Sequence, residues 1–225
     1  ECGAKQGPVV MDGIRIAIVG GTGELGTGLG RRWHRAGFDI LIGSRSVEKA
    51  EAAATELGGG SATVTGASMA DAARDADIVV VAVPWSTHDA TLGVIAPHVD
   101  GKILIDAVVP LVPPKVSVVQ LPAEGSAAQR AQALLPGARV VGAFHNVAAK
   151  LLKADADIDC DILVCGDDKD ARDTVVQLVA AAGMKGIDAG PLANSAASEA
   201  LTSLLIGLNR RYKVAHAGIR ITGLL

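Results

Sequence analysis

Aromatic side chains are scarce: they make up 2% of the 225 residues, with two Trp, one Tyr and two Phe. That scarcity removes the stacking platforms on which single-stranded nucleic acids are held. A dominant charge is missing too. The formal net charge is −3 with both signs spread along the chain, so there is no basic field of the kind that nucleic acid binding needs. Long apolar runs are also absent. The stretches 78–84 and 204–208 fall well short of the ~20 residues that span a bilayer, and no membrane segment is expected.

Cysteine is equally sparse. Cys2, Cys160 and Cys165 make neither a Cys-x-x-Cys pair nor an even framework, which suits a reducing cytoplasm. The five histidines are scattered, with no metal-ligand spacing. Asp155-x-Asp157-x-Asp159 begins like a calcium loop, but Cys160 replaces the required glycine and Gly166 stands where the bidentate Glu belongs. No Gly-x-Ser-x-Gly elbow signals a serine hydrolase. Residues 1–13 carry neither the basic start nor the apolar core of a signal peptide and are set aside as a tail outside the fold.

What the chain does have is a 49% hydrophobic content, enough to fill a sizeable core in one large domain or a domain with an appendage. It also has a strand, a glycine-rich turn and a helix in unbroken succession over residues 14–30. Ile14, Ile16, Ile18 and Val19 form a β-branched run of the kind that is buried on both faces. Gly21-x-Gly23-x-x-Gly26 then fits the dinucleotide fingerprint, and Gly20-x-x-Gly23-x-x-Gly26 offers a second register. In either register, Gly20, Gly21, Thr22, Gly23 and Gly26 would place pyrophosphate on the free N–H groups of the following helix.

Downstream the same period repeats. Strands are expected over 38–43, 62–65, 77–83, 102–106 and 139–144, with helices over 25–36, 47–57, 68–74 and 127–135. Two further units follow: strands 161–165 and 184–188 around a helix at 170–182, and a last helix from 194 to about 216. Strand alternating with helix predicts an α/β, doubly wound, mostly parallel sheet with right-handed crossovers. In the last helix Leu201, Leu204, Leu205 and Leu208 keep helical spacing, a stripe that either packs into the core or meets a second copy.

The second strand ends without the acidic residue that accepts the ribose hydroxyl in NAD-specific folds. Ser44 and Arg45 occupy the place, with Lys49 a turn later, and cations there suit the 2′-phosphate of NADP. Val83-Pro84-Trp85 closes the fourth strand at the edge where doubly wound sheets bind ligands, and Trp85 either walls a flat ring or plugs the sheet. The apolar 108–114 loop and His145-Asn146-Val147 belong to the same edge and suggest an apolar crevice for a second ring. His145 either positions a ring or is structural.

With Gly-Gly-Thr-Gly-x-Leu-Gly, Gly-Ser-Arg, Pro-Trp, Cys165-Gly-Asp-Asp168 and the 188–195 motif Asp-Ala-Gly-Pro-Leu-x-Asn-Ser in this order, the chain resembles the NADPH-dependent coenzyme F-420 reductases, from about Ile14 to Leu208. The resemblance implies a Rossmann domain over 14–150 and a smaller α/β part over 151–225 that contributes to the deazaflavin site and to a homodimer. It implies direct hydride transfer between NADP(H) and coenzyme F-420. Thr22, Gly23, Glu24 and Leu25 would hold pyrophosphate and ribose, and Ser44, Arg45 and Lys49 the 2′-phosphate. Val83, Val109 and Ala149 would line the nicotinamide end, with His145 and Val147 near the meeting rings. No catalytic acid or base is implied, since hydride transfer rests on placement. Two stretches depart from the family pattern: Asp106-Ala-Val-Val-Pro110 replaces Ser-Pro-Leu-Val-Pro, and His145-Asn-Val-Ala-Ala149 replaces His-Thr-Ile-Pro-Ala. Rival readings are an NADPH-dependent imine or ferric reductase related to pyrroline-5-carboxylate reductases, and a non-enzymatic NADP(H)-binding redox sensor.

Overall fold

The computed structural model describes residues 13–61, 63–154 and 158–224. Residues 1–12 of the expected 1–13 tail, with Cys2, position 62, and Asp155 and Asp157 of the calcium-like run therefore lie outside the described residues. The apolar runs become strands β1 (Arg15–Val19), β2 (Asp39–Ser44), β3 (Val64–Ser68), β4 (Ile78–Val81), β5 (Ile103–Asp106), β6 (Arg139–Gly142), β7 (Asp161–Gly166) and β8 (Lys185–Asp188). They form one sheet in the order β3-β2-β1-β4-β5-β6-β7-β8. Every pairing is parallel except β6 with β7. That one antiparallel junction departs from a simple continuation of the strand–helix period. Among the described residues no α-helix stands between the two strands; the chain crosses from 142 to 161 through a short 3-10 turn, Ala149–Lys153, so nothing carries it back to the start of the sheet.

Seven α-helices are seen among the described residues: α1 (Glu24–Arg35), α2 (Val47–Gly58), α3 (Met69–Asp75), α4 (His88–Ile95), α5 (Ala127–Leu134), α6 (Lys169–Ala181) and α7 (Ser195–Tyr212). They cover both faces of the sheet because the strands alternate between two cores. Ile16, Ile18, Ile40, Ile42 and Ile105 point to the layer holding Leu29 and Trp33 of α1 and Leu178 of α6. Ala17, Val19, Leu41, Val79 and Leu104 point the other way, toward Ala72 of α3, Leu92 and Ile95 of α4 and Ala131 of α5. Each face is then dry, as a parallel sheet demands.

The sequence reading carries no α4, whose apolar Leu92 and Ile95 are diluted by Thr, Gly and Asp. The third strand runs later than expected, to Ser68, whose side chain accepts from Asp71 N–H at 3.1 Å and starts α3. The fourth strand stops at Val81, so Val83-Pro84-Trp85 lies in the loop beyond it, and Trp85 opens a one-turn 3-10 helix, Trp85–Thr87. The sixth stops at Gly142 because Phe144 turns to φ +65°. The last helix ends at Tyr212, with Lys213 in the left-handed region. The leucine stripe does not share one environment: Leu205 is buried, while Leu204 is 55% and Leu208 41% exposed.

Arg32 ties the end of the chain to its beginning. This buried guanidinium on α1 donates to the carbonyls of Leu152 and Ala182, at 3.1 and 2.6 Å. Trp33 beside it donates its indole N–H to Leu178 O at 2.8 Å.

Candidate active site

At the end of β1 the chain turns at Gly20, with φ +80°, a conformation that L side chains rarely adopt. A Cβ there would sit 2.5 Å from the Val83 side chain and 2.7 Å from Ala82 O. At Gly21 it would meet Ile18 O at 2.6 Å, and at Gly26 the Cα of Gly21 at 2.7 Å. Gly20, Gly21 and Gly26 are thus required: Gly20 makes the turn, while Gly21 and Gly26 let α1 close against β1; at Gly23, common to both registers, a Cβ would meet nothing nearer than Gly20 O at 3.6 Å. Gly23 is the N-cap of α1, and no side chain caps it. The first amides of α1 therefore keep their hydrogen-bonding capacity and the positive end of the helix dipole for an incoming anion.

One crevice, of about 520 Å³, opens over this turn. It is lined by Gly20, Thr22 and Gly23 of the turn, by Ser44, Arg45 and Lys49 at and after the end of β2, and by Val83, Pro84 and Thr87 beyond β4. Arg45 and Lys49 are exposed, and their side chains make no hydrogen bond or ion pair among the described residues. Lys49 is held in the first turn of α2, where Ser46 Oγ accepts its N–H at 3.3 Å.

A second crevice, of about 610 Å³, adjoins the first, and Gly23, Ala82, Val83 and Pro84 line both. Its walls bring together Glu24, Leu25, Trp85, Val109, His145, Val147 and Ala149. Trp85 is half-buried and both lines the crevice and packs on the core. Glu24 pairs with Lys153 at 3.3 Å, linking the start of α1 to the Ala149–Lys153 turn.

Behind the wall of this second crevice lies a set of buried polar groups centred on His145. His145 is buried, with Nδ1 3.0 Å from Ser198 Oγ and Nε2 3.0 Å from Asp106 O, and Thr202 of α7 donates to its carbonyl at 2.7 Å. Burial outweighs the nearby Asp106 and pushes the imidazole down to about 4, so at neutral pH the ring is uncharged. Phe144 before it holds a positive φ, a costly state for a non-glycine residue, with its ring edge-on to Trp33 at a centroid distance of 5.7 Å. Behind His145 lies Glu199 of α7, fully buried, accepting from Ala127 N–H at 2.7 Å and Ala128 N–H at 3.1 Å at the start of α5. Burial raises its carboxyl to about 8, against those two amides.

A family model described as NADP oxidoreductase, coenzyme F-420-dependent, matches residues 15–110. The chain is 42% identical over 223 aligned residues to the F-420-dependent NADP reductase of Methanothermobacter thermautotrophicus, covering 94% of this chain and 96% of that one. It is 40% identical to the F-420-dependent NADP reductase of Methanocaldococcus jannaschii, with 94% and 99% covered. The chain belongs to the F-420-dependent NADP reductase family. A crystal structure of a candidate F-420-dependent NADP reductase from Arthrobacter sp. FB24 superposes with a TM-score of 0.79 at 26% identity, covering 93% of this chain and 100% of the other.

Family membership also gives the two C-terminal motifs a place in this reductase fold: they brace each other. Asp168 caps α6 by accepting from Ala171 N–H at 2.7 Å, Asp167 accepts from Leu192 N–H at 2.9 Å, and Asp188 accepts from Arg172 at 2.8 Å. The turns that launch α6 and α7 are fixed by these carboxylates. Neither His88 nor Glu199 is singled out by the sequence; the signal lies in Asp106, an acidic residue ending an apolar strand, which needs a buried partner.

Proposed function

We propose that this chain transfers a hydride between NADP(H) and coenzyme F-420. The observation that carries this is the pair of contiguous crevices, one built for phosphate and one apolar, meeting at Gly23, Val83 and Pro84. The residues fit a dinucleotide: a glycine turn that a Cβ would fill, uncapped amides at α1, and two cations without partners among the described residues where NAD-specific folds put an acid. The nicotinamide and deazaflavin rings, when bound, would supply the hydride donor and the hydride acceptor.

In this reading Thr22 to Leu25 hold the pyrophosphate and ribose, and Ser44, Arg45 and Lys49 hold the 2′-phosphate by charge-assisted hydrogen bonds. Val83, Val109 and Ala149 confine the nicotinamide end, while Trp85, His145 and Val147 confine the second ring. The apolar walls exclude water and fix orientation, which is what hydride transfer asks of a protein. His145 keeps its ring nitrogens on Ser198 and Asp106, so it shapes the floor and supplies no charge to it. An imine reductase would need a proton donor facing its substrate; the polar side chains that line the second crevice are Glu24, paired with Lys153, Trp85, Ser86 and the inward-bonded His145. The test is to follow NADPH oxidation with coenzyme F-420 and, separately, with a cyclic imine; turnover of the imine alone would reverse the assignment.

The residues 14–150 act as the NADP-binding unit, and 151–225 brace the second crevice from behind, through the bonds of Ser198 and Thr202 to His145, and supply a homodimer contact. Support for that contact is an open groove of about 660 Å³ between α7 and the loop that joins β5 to α5, lined by Ser117, Leu204, Gly207, Leu208, Arg210 and Arg211. No helix among the described residues is long and apolar enough to cross a membrane. Cys160 and Cys165 are buried free thiols, which supports a reducing, cytoplasmic setting.

A further inference from the structure

Asp106 is the last residue of β5 and is wholly buried. Its contacts diverge to three different walls of the second crevice. Oδ2 accepts from His88 Nε2 at 2.7 Å, and His88, itself wholly buried, faces Trp85 with ring centroids 5.2 Å apart and planes inclined by 32°. Oδ1 accepts from Val108 N–H at 2.9 Å, at the root of the 108–114 loop. The main-chain carbonyl accepts from His145 Nε2 at 3.0 Å. Trp85, Val108 and His145 all line the crevice, on three separate segments of chain. The other His88 nitrogen, Nδ1, makes no hydrogen bond among the described residues; the nearest acid, Asp89, is 3.7 Å away. The ring is therefore held from one side, by Asp106 alone.

A buried hydrogen-bonded pair of this kind gives little net stability over apolar residues of the same volume, and losing one partner leaves the other unsatisfied. An exclusively structural purpose is a poor reason for it at this place. We propose that His88 and Asp106 are positioning residues for the second substrate: together they set where Trp85, the 108–114 loop and His145 stand, and so the placement of the flat ring between them. Neither touches the ring. The inference rests on the reading of the second crevice as the deazaflavin site.

The geometry contains its own control. Thr87 and Thr91, which flank His88 on the same turn of chain, line the first crevice. If the pair only held α4 in place, disturbing it would weaken NADPH and F-420 together. If it positions the second ring, the two effects separate.

The experiment uses the full chain with Asp106→Ala, His88→Leu, Asp106→Asn and His88→Gln, and with Met184→Ala as a control for lost stability in a core region lining neither crevice. NADPH affinity is measured by titration without the acceptor, kcat and KM for F-420 by absorbance, and Trp85 emission in the free protein, identified with Trp85→Phe. The other tryptophan, Trp33, is buried and bonded to Leu178 O. Asp106→Ala and His88→Leu should each raise KM for F-420 about three- to tenfold, the range spanned by one net hydrogen bond. They should change Trp85 emission and leave NADPH affinity within about twofold. The variants Asp106→Asn and His88→Gln keep a polar partner and should recover most of the loss. Equal losses for NADPH and F-420, unchanged Trp85 emission, or the same kinetic change in Met184→Ala would overturn the proposal. Absence of F-420 turnover in the unmutated chain would instead overturn the functional reading, and the emission and NADPH measurements would still decide whether the pair fixes the wall.

Discussion

The two crevices share a wall and differ in how they are made. The first is made of backbone: a glycine turn, helix amides and two cations in solvent. The second is made of side chains from segments far apart in sequence, resting on a buried polar floor of Asp106, His88, His145, Ser198 and Glu199. A backbone site tolerates change at its rim and fails when a glycine gains a side chain. A side-chain site fails when any packed wall moves. The contrast predicts that variants in the second crevice act on turnover and those in the first on nucleotide affinity.

The largest effect is expected from Val147→Trp. It should fill the second crevice and lower F-420 turnover by on the order of 100-fold, the effect of about 1 Å of misplacement, while NADPH titration remains nearly unchanged. Loss of NADPH binding in step with turnover would merge the two sites. Arg45→Ala comes next and breaks the comparison from the other side. It should weaken NADPH by about 1.5–3 kcal/mol, the range for a hydrogen bond to a charged group, and leave NADH little changed. Equal affinities for the two nucleotides in the unmutated chain would contradict this role.

The buried floor should show itself in pH dependence. Glu199 ordinarily titrates at 4.5 and is raised to about 8 by burial, so between those values the folded chain keeps a proton that the unfolded chain has lost, and stability falls as pH rises. His145 ordinarily titrates at 6.5 and is lowered to about 4, so it contributes stability above 6.5 that is lost as pH falls toward 4. The two slopes oppose each other below pH 6.5 and leave Glu199 alone above it. Stability should fall by about 2 kcal/mol from pH 6.5 to 8, and Glu199→Gln should remove that fall in urea titrations at each pH. A profile unchanged by the substitution would place the titration elsewhere. The smallest effect on the isolated fold is expected from Leu204→Glu, on the exposed side of α7: within about 0.5 kcal/mol of stability for a surface site, but with loss of the proposed dimer, since a charge in an apolar contact is costly. Light scattering that finds a monomer in the unmutated chain would remove this contact.

The same contrast explains how much could be read from the sequence. The first crevice was legible because each of its parts is local: a strand, Gly20 to Gly26 and a helix follow one another, and Ser44, Arg45 and Lys49 sit at one strand end. The strand–helix period likewise pointed to the parallel sheet as far as β6. The antiparallel β7 was not legible, because direction depends on the crossover between 142 and 161 and not on the strand's own residues. The stripe at 201–208 was only half legible: helical spacing marks it as amphipathic, yet Leu205 packs inward while Leu204 and Leu208 face out. The floor was least legible of all. Glu199 reaches Ala127 across 72 positions and His145 reaches Ser198 across 53, and no spacing rule connects them.

Mixing the protein with NADPH and oxidised coenzyme F-420 and following the deazaflavin absorbance band tests the function of the joined crevices most directly. The expected result is loss of that band, with one NADPH oxidised for each F-420 reduced, and little or no reaction when NADH replaces NADPH. A protein that binds NADPH yet leaves the deazaflavin band unchanged would contradict it.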